Sequence, residues 1–354
     1  MTHPALHLVV PGRLDQRTGG YIYDRRIAAG LRDLGRPPVV HCLPGIFPGP
    51  DTGAEQALEA TLSGLPDGST VVIDGLALGG LPGPAGRHRR RLTLLGLVHH
   101  PLCEETGLSA ERAAELEALE RSALRCCHGL VATSPHTAER LQQWLQPAPP
   151  MRVVTPGIDR TVVRHPSMET ASAPVLLCVG ALVPRKGQDL LLRALAQVRD
   201  RSWHCVLAGS DARDPLFADR VRAEIARLDL AGVVEIRGEC TEQALGELYR
   251  RADVFVLPSW YEGYGMAFTE AMAHGLPVVA TRGGAIPSTV PATAGLLIAP
   301  GDMDALAQAL AEVLDDPELR ATLARGAWEH ARALPSWEAV SGQFATAVAE
   351  LEAP

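Results

Sequence analysis

The sequence predicts two α/β domains, each a parallel sheet covered by helices. Its 354 residues with 46% hydrophobic content favour two cores over one. Short apolar runs repeatedly give way to a glycine or proline turn and then to a stretch with helical spacing, the pattern of parallel crossover units. Residues 165–174, HPSMETASAP, are small and polar without any period, which places the domain boundary there. The first domain is set at 1–165 and the second at 172–334.

In the first domain, His7 to Val10 is a strand followed by Pro11-Gly12 and then Thr18-Gly19-Gly20. Ile27, Ala28, Leu31 and Leu34 share one helical face, and Gly35 then Pro37 stop that helix. Gly19 and Gly20 thus sit between a strand and a helix, where backbone N–H groups can face a ligand. The fuller G-x-G-x-x-G pattern is missing, which counts against a nicotinamide dehydrogenase. Val39–Leu43, Thr70–Ile73 and Leu94–Val98 read as further strands, with a helix over Ala54–Leu65. The strand at Leu94–Val98 ends in His99-His100-Pro101, at the carboxyl edge where open parallel sheets place their ligands.

Glu104–Leu124 reads as a long amphipathic helix, Gly129–Thr133 as a strand, and Ser134-Pro135 as the cap and first residue of a helix that ends near Gln146. Met151–Thr155 closes the first sheet. In the second domain, Val175–Val179 leads into Gly180 to Gly187, GALVPRKG, and a helix over Asp189–Val198. Trp203–Ala208 and Val233–Ile236 are strands, Phe217–Leu228 is a helix, and Thr241 caps another through Arg250. Gly301–Ala311, Pro317–Leu334 and a segment opening at Pro335-Ser336-Trp337 are helical.

The densest chemistry lies in Ala252 to Gly284, ADVFVLPSWYEGYGMAFTEAMAHGLPVVATRGG. Val254–Leu257 is a buried strand, Ser259–Gly265 a glycine loop around Glu262, Met266–His274 a helix stopped by Gly275, and Pro277–Thr281 the next strand. Glu270 follows Glu262 by eight positions, so two acceptor-only carboxylates flank a place fit for a phosphate and for hydroxyl groups. Arg185 and Lys186 at another strand mouth can offer a forked donor and a point charge to one diphosphate.

Net charge is −8, from 33 basic against 41 acidic residues, so no global basic field suggests nucleic-acid binding. One local run, Arg87-His88-Arg89-Arg90-Arg91, reads either as a solvated helix face or as a peripheral contact with an anionic acceptor or membrane surface. The seven cysteines show no metal-ligand or redox spacing, and Cys178 and Cys205 read as small core residues. The scattered, odd set and the lack of a signal peptide point to the cytoplasm. No apolar run reaches the ~20 residues that span a bilayer.

The two glutamates in PSWYEGYGMAFTEAMAHGLPVVA resemble the signature of retaining glycosyltransferases of family four, within the group 1 glycosyltransferases. That resemblance runs strongly over 175–290 and weakly over 1–160. It implies the GT-B fold, two Rossmann-like domains facing across a cleft, the first for the acceptor and the second for a nucleotide-sugar donor, with the helix over 335–354 returning to the first domain. Carried over residue by residue, it makes Glu262 a contact of the sugar hydroxyls, Gly263, Tyr264 and Gly265 the diphosphate loop, Glu270 the ribose contact, and Arg185 and Lys186 the phosphate grip. Gly19 and Gly20 lie near the diphosphate, Arg237 borders the base, and His99, with His100 as the alternative, lies by the reacting sugar carbon. Ser288 stands where many relatives carry a glutamate, so that turn is given no catalytic role.

The resemblance therefore implies a retaining hexosyl transfer from a UDP-, GDP- or ADP-sugar to an acceptor that the sequence leaves open among lipid, polysaccharide and small metabolite. In this account the departing phosphate takes the acceptor's proton and no protein nucleophile attacks. No metal is expected, because no Asp-x-Asp pair stands at a strand end and Arg185 with Lys186 can neutralise the diphosphate. No cofactor is expected either, the nucleotide-sugar being a substrate. A sugar-nucleotide epimerase or hydrolase of the same fold and a non-catalytic binder remain the alternatives.

Overall fold

The computed structural model describes residues 5–159 and 173–352. The chain divides into two compact units, Met1–Gly157 with Pro335–Pro354, and Ile158–Leu334. Most of the linker expected at 165–174 lies outside the described residues.

The first unit runs β1 (Leu6–Pro11), α1 (Gly19–Asp33), β2 (Val39–Leu43), α2 (Thr52–Ser63), β3 (Thr70–Asp74), α3 (Gly75–Leu78), α4 (Pro82–His88), β4 (Thr93–Val98), α5 (Ala110–Leu124), β5 (Gly129–Ala132), α6 (Pro135–Trp144) and β6 (Met151–Val153). All its strand pairs are parallel, in the order β2-β1-β3-β4-β5-β6. Every residue of β1, β3 and β5 is buried, as expected of strands covered by helices on both faces. The core is split by the sheet, with Val9, Leu58, Ile73 and Leu141 on one side and Leu8, Ile27, Leu31 and Leu97 on the other.

The second unit runs β7 (Val175–Val179), α7 (Gln188–Gln197), β8 (His204–Ala208), α8 (Pro215–Arg227), β9 (Val234–Gly238), α9 (Glu242–Arg251), β10 (Val254–Leu257), α10 (Met266–Ala273), β11 (Val278–Thr281), α11 (Ile286–Thr289), β12 (Gly295–Ile298), α12 (Met303–Asp315) and α13 (Pro317–Ala333). Its sheet is also parallel throughout, in the order β12-β11-β10-β7-β8-β9. This is the doubly wound order, with the direction of winding reversing between β7 and β10.

The last helix, α14 (Trp337–Glu352), belongs to the first unit. Val340, Phe344, Val348 and Leu351 of α14 are buried with Ile27 and Leu31 of α1. A side chain at Gly129 would meet Leu351 Cδ2 at 2.7 Å, so the helix lies directly against β5.

Helix starts follow local chemistry. The side chains of Asp51, Ser109, Ser134, Asp214, Thr241 and Asp302 each accept a backbone N–H in the first turn of their helix. Two expectations shift. Gly19 and Gly20 are the first residues of α1 rather than part of the preceding loop, and α5 begins at Ala110 after a 3-10 turn at Leu102–Glu104. Among the described residues, no helix is long and apolar enough to cross a membrane.

Candidate active site

The reversal between β7 and β10 opens a crevice at the carboxyl ends of these two strands. After β7, Pro184–Lys186 forms a 3-10 turn ended by Gly187 in the left-handed region (φ 68°), which starts α7. After β10, Ser259 to Gly265 crosses to α10. The two turns meet. Lys186 Nζ donates to Glu262 Oε1 at 2.6 Å, and Arg185 Nη1 lies 3.4 Å from Oε2 while donating to the Tyr261 carbonyl at 2.9 Å. Trp260 N–H in turn donates to the Arg185 carbonyl at 2.8 Å, tying the loops together through backbone.

Glu262 is 6% exposed, so its charge must be answered within the protein. Burial pushes its carboxyl up. The charges of Lys186 and Arg185, with hydrogen bonds from Lys186 and Ser259, outweigh that and hold it down at about 2. Ser259 Oγ donates to Oε1 at 2.6 Å. The backbone of Glu262 is fixed as well: it bridges to Gly284, and its carbonyl accepts Ala285 N–H at 2.8 Å. Side chains at Gly283 and Gly284 would overlap the Trp260 and Glu262 carbonyls, so the turn must be side-chain-free at 283 and 284 to pass.

Glu270, on the first turns of α10, accepts from Tyr249 Oη at 2.9 Å, and Tyr249 stacks on His274. Gly265 is the residue before α10, at φ 91°. The N-terminus of α10 therefore follows the 263–265 loop, as an anion site at a helix start requires. Arg237 lies exposed on β9 and pairs with its near neighbour Glu235 at 3.0 Å. The structure thus brings Arg185, Lys186 and Glu262 into one cluster. Glu270 sits one helix turn along the same unit, and Arg237 follows β9.

In the first unit the sheet order reverses between β1 and β3. There His99, just past β4, turns its Nε2 to two buried carboxylates, Asp74 Oδ2 at 3.1 Å and Asp24 Oδ1 at 3.3 Å. Asp74 ends β3 and its other oxygen accepts Leu76 N–H at 2.7 Å, while Asp24 lies on α1. A Cβ on Gly20 would stand 3.1 Å from His99 Cδ2, so this glycine makes room for the ring. His100 is directed to Glu105 at 3.6 Å instead. Sequence reasoning found His99 and Gly20 but missed Asp24 and Asp74, whose only available signal was an acidic residue at the end of an otherwise apolar strand, VVID.

The basic run is largely committed to its own unit. Arg87 pairs with Glu59 at 2.8 Å, His88 reaches the same carboxylate at 2.9 Å, and Arg91 donates to the Leu62 and Leu65 carbonyls. Arg89 and Arg90 are exposed.

Two parallel six-stranded units of this kind define the GT-B class of α/β proteins. Sucrose-phosphate synthase from Thermosynechococcus elongatus superposes with a TM-score of 0.80 at 23% identity, covering 98% of this chain and 99% of that one. Anabaena HepE, solved with UDP and glucose, does so with a TM-score of 0.73 at 19% identity over 98% and 100%. Residues 159–330, nearly all of the second unit, match the family described as glycosyl transferases group 1. A GDP-mannose-dependent monoacylated alpha-(1-6)-phosphatidylinositol monomannoside mannosyltransferase of Corynebacterium glutamicum is 33% identical over 204 residues, 55% of this chain and 51% of its own length. A D-inositol 3-phosphate glycosyltransferase of Saccharomonospora viridis is 36% identical over 225 residues, 59% and 52%. The chain spans about half the length of these curated relatives.

Proposed function

We propose that the protein transfers a sugar from a nucleotide-sugar donor to a hydroxyl-bearing acceptor, with retention at the anomeric carbon and without a metal. The supporting observation is the Arg185–Lys186–Glu262 cluster at the β7/β10 reversal, inside the segment that matches the group 1 glycosyltransferases. Two cations against one carboxylate leave a formal surplus of one positive charge at the strand mouths, suited to a diphosphate.

In this reading Arg185 and Lys186 hold the diphosphate, helped by the backbone of Gly263, Tyr264 and Gly265 and the start of α10. Glu262 and Glu270, acceptor-only groups, take hydroxyls of the sugar and of the ribose, and Arg237 borders the base. The bond from the anomeric carbon to the phosphate oxygen breaks, the bond to the acceptor oxygen forms on the same face, and the acceptor's proton passes to the departing diphosphate. The chain's contribution is positioning and charge stabilisation. Gly19, Gly20 and His99 are the first unit's candidate substrate contacts. The mannosyl and inositol relatives and the UDP complex of HepE make GDP-mannose, UDP-glucose and a polyol acceptor the first pairs to try.

The test is incubation with UDP-, GDP- and ADP-sugars and candidate acceptors, with product read by mass spectrometry and its anomeric configuration by NMR. Transfer should persist in a chelator. Lys186→Ala should cut turnover about 100-fold, near 2.7 kcal/mol. Unaltered turnover in that variant, or no sugar nucleotide binding in a calorimetric titration, overturns the reading. Donor breakdown with no acceptor product moves it to a hydrolase.

A further inference from the structure

The β1/β3 reversal of the first unit holds a cluster that the donor site does not explain. Two carboxylates, Asp24 of α1 and Asp74 of β3, converge on Nε2 of His99, just after β4. Asp24 and Asp74 are buried, whereas the His99 side chain keeps 19% of its surface open. Both the backbone and the ring of His99 are held. Thr133 Oγ1 and Thr137 Oγ1 each donate to the His99 carbonyl at 3.3 Å, Tyr23 meets the ring edge to face at 5.4 Å, and Gly20 leaves the space its Cδ2 occupies.

Where the acids are ionised, two carboxylate oxygens at 3.1 and 3.3 Å leave one state for Nε2. A lone pair there would face two acceptors, so Nε2 must carry a hydrogen. With that hydrogen engaged, the second ring nitrogen decides the charge, and two buried acids favour the cation. The geometry points to Asp24 and Asp74 as positioning residues that hold His99 as an imidazolium, presenting Nδ1–H as a donor to substrate rather than a lone pair as a base. This rests on the glycosyl-transfer reading for its use, though not for the state of the ring.

The remaining electrostatics agree. Burial alone would lower the His99 ring, but the hydrogen bonds and charges of Asp24 and Asp74 outweigh it and raise its pKa. Burial and the neighbouring Asp74 charge push the Asp24 carboxyl up, so the two acids hold a proton between them more readily than exposed carboxylates do. Among the described residues, the titratable groups facing the ring are these two acids and Tyr23, itself pushed up by burial and by Asp24. His100 next along the chain is turned toward Glu105. A cation with a fixed N–H suits a phosphate oxygen or a sugar hydroxyl and makes a poor acceptor of the acceptor's proton.

Two measurements test this. The first uses the parent protein with labelled histidine: the His99 ring signals, assigned by loss in His99→Gln, should stay in the doubly protonated form from pH 5.5 to 8.5. A ring titrating near the ordinary 6.5 overturns the inference whether or not the protein transfers sugar. The second uses Asp24→Asn/Asp74→Asn, checked for folding by circular dichroism, with Asp74→Asn alone as the milder variant. Transfer should become pH-dependent. It should fall about 100-fold two units above the freed ring's pKa, where about one ring in a hundred is protonated, and recover on acidification. A loss that is uniform with pH would mark the acids as structural only and overturn the positioning role. If the ring stays protonated but no sugar nucleotide is turned over, the glycosyl-transfer reading fails and the cation survives it.

Discussion

At the scale of residues, Glu262 joins stability to the proposed donor site. It is nearly buried and answered by Lys186 and Arg185, whose side chains are 16% and 17% exposed. Glu262→Gln keeps the shape and the Ser259 contact but removes the carboxylate charge facing Lys186 and Arg185, and should cost about 3 kcal/mol in urea unfolding at pH 7. The sign with pH follows from its lowered pKa. The folded protein binds this proton less readily than the unfolded chain, so the stabilisation is complete above about 4.5 and is lost as pH falls toward about 2. The gap between parent and variant should therefore narrow by about 1.4 kcal/mol per unit below 4.5. An equal gap at pH 7 and pH 3.5 would remove the carboxylate from the account. Arg185, Lys186 and Glu262 were legible in the sequence because each sits in a short loop between an apolar strand and a helix, where a charge has few other uses. Asp24 and Asp74 were not legible. They lie 50 positions apart, on a helix face and a strand end, and only the reversal in strand order brings them to one ring.

At the scale of elements, two glycines separate backbone geometry from local propensity. Gly284 adopts φ 61°, and a side chain there would overlap the Glu262 carbonyl and approach Tyr261 Cε2 at 2.9 Å. Gly284→Ala should lower stability by at least about 2 kcal/mol, combining left-handed strain with a clash against backbone that cannot give. Gly246 lies inside α9 with nothing within 4 Å of its would-be Cβ. Gly246→Ala should raise stability by about 0.5–1 kcal/mol. Thermal unfolding of the two variants side by side reads both signs, and a destabilised Gly246→Ala would contradict the open face. Strands and caps were legible from apolar runs and from Ser, Thr and Asp at helix starts. The short helices α3, α4 and α11 and the strand β12 were not, because four to seven residues are too few for a period to show. The acidic face of α5 also misled: Glu120 points inward and accepts Leu102 N–H at 2.8 Å. Burial pushes its carboxyl up to about 8. A buried acid that caps a neighbouring turn carries no signature in a helix rich in exposed glutamate.

At the scale of the whole molecule, the chain's last helix serves its first unit. The four side chains Val340, Phe344, Val348 and Leu351 are each at most 4% exposed, packed against α1 and the sheet. At about 1.5–3 kcal/mol for each buried side chain, their removal approaches the entire stability of an ordinary domain. Residues 158–334 form the other unit with a core of their own, from Leu176 and Phe255 to Leu310. A chain ending at Leu334 should therefore lose hydrogen-exchange protection in β1, β4 and β5 while β7 and β10 keep theirs. Phe344→Ala in the full chain should act in the same place, at a cost of about 3–5 kcal/mol, with the second unit unchanged. Protection lost equally in β7 and β10 would show that the two units unfold as one. Protection kept in β1 would show that α14 contributes little beyond its ion pairs, Arg36 with Glu352 at 2.6 Å and Arg152 with Glu350 at 2.5 Å. The half-exposed Arg152–Glu350 pair carries at most about 1 kcal/mol, and the mostly buried Arg36–Glu352 pair gives back in desolvation much of what it gains, so the apolar face of α14 is what decides the outcome.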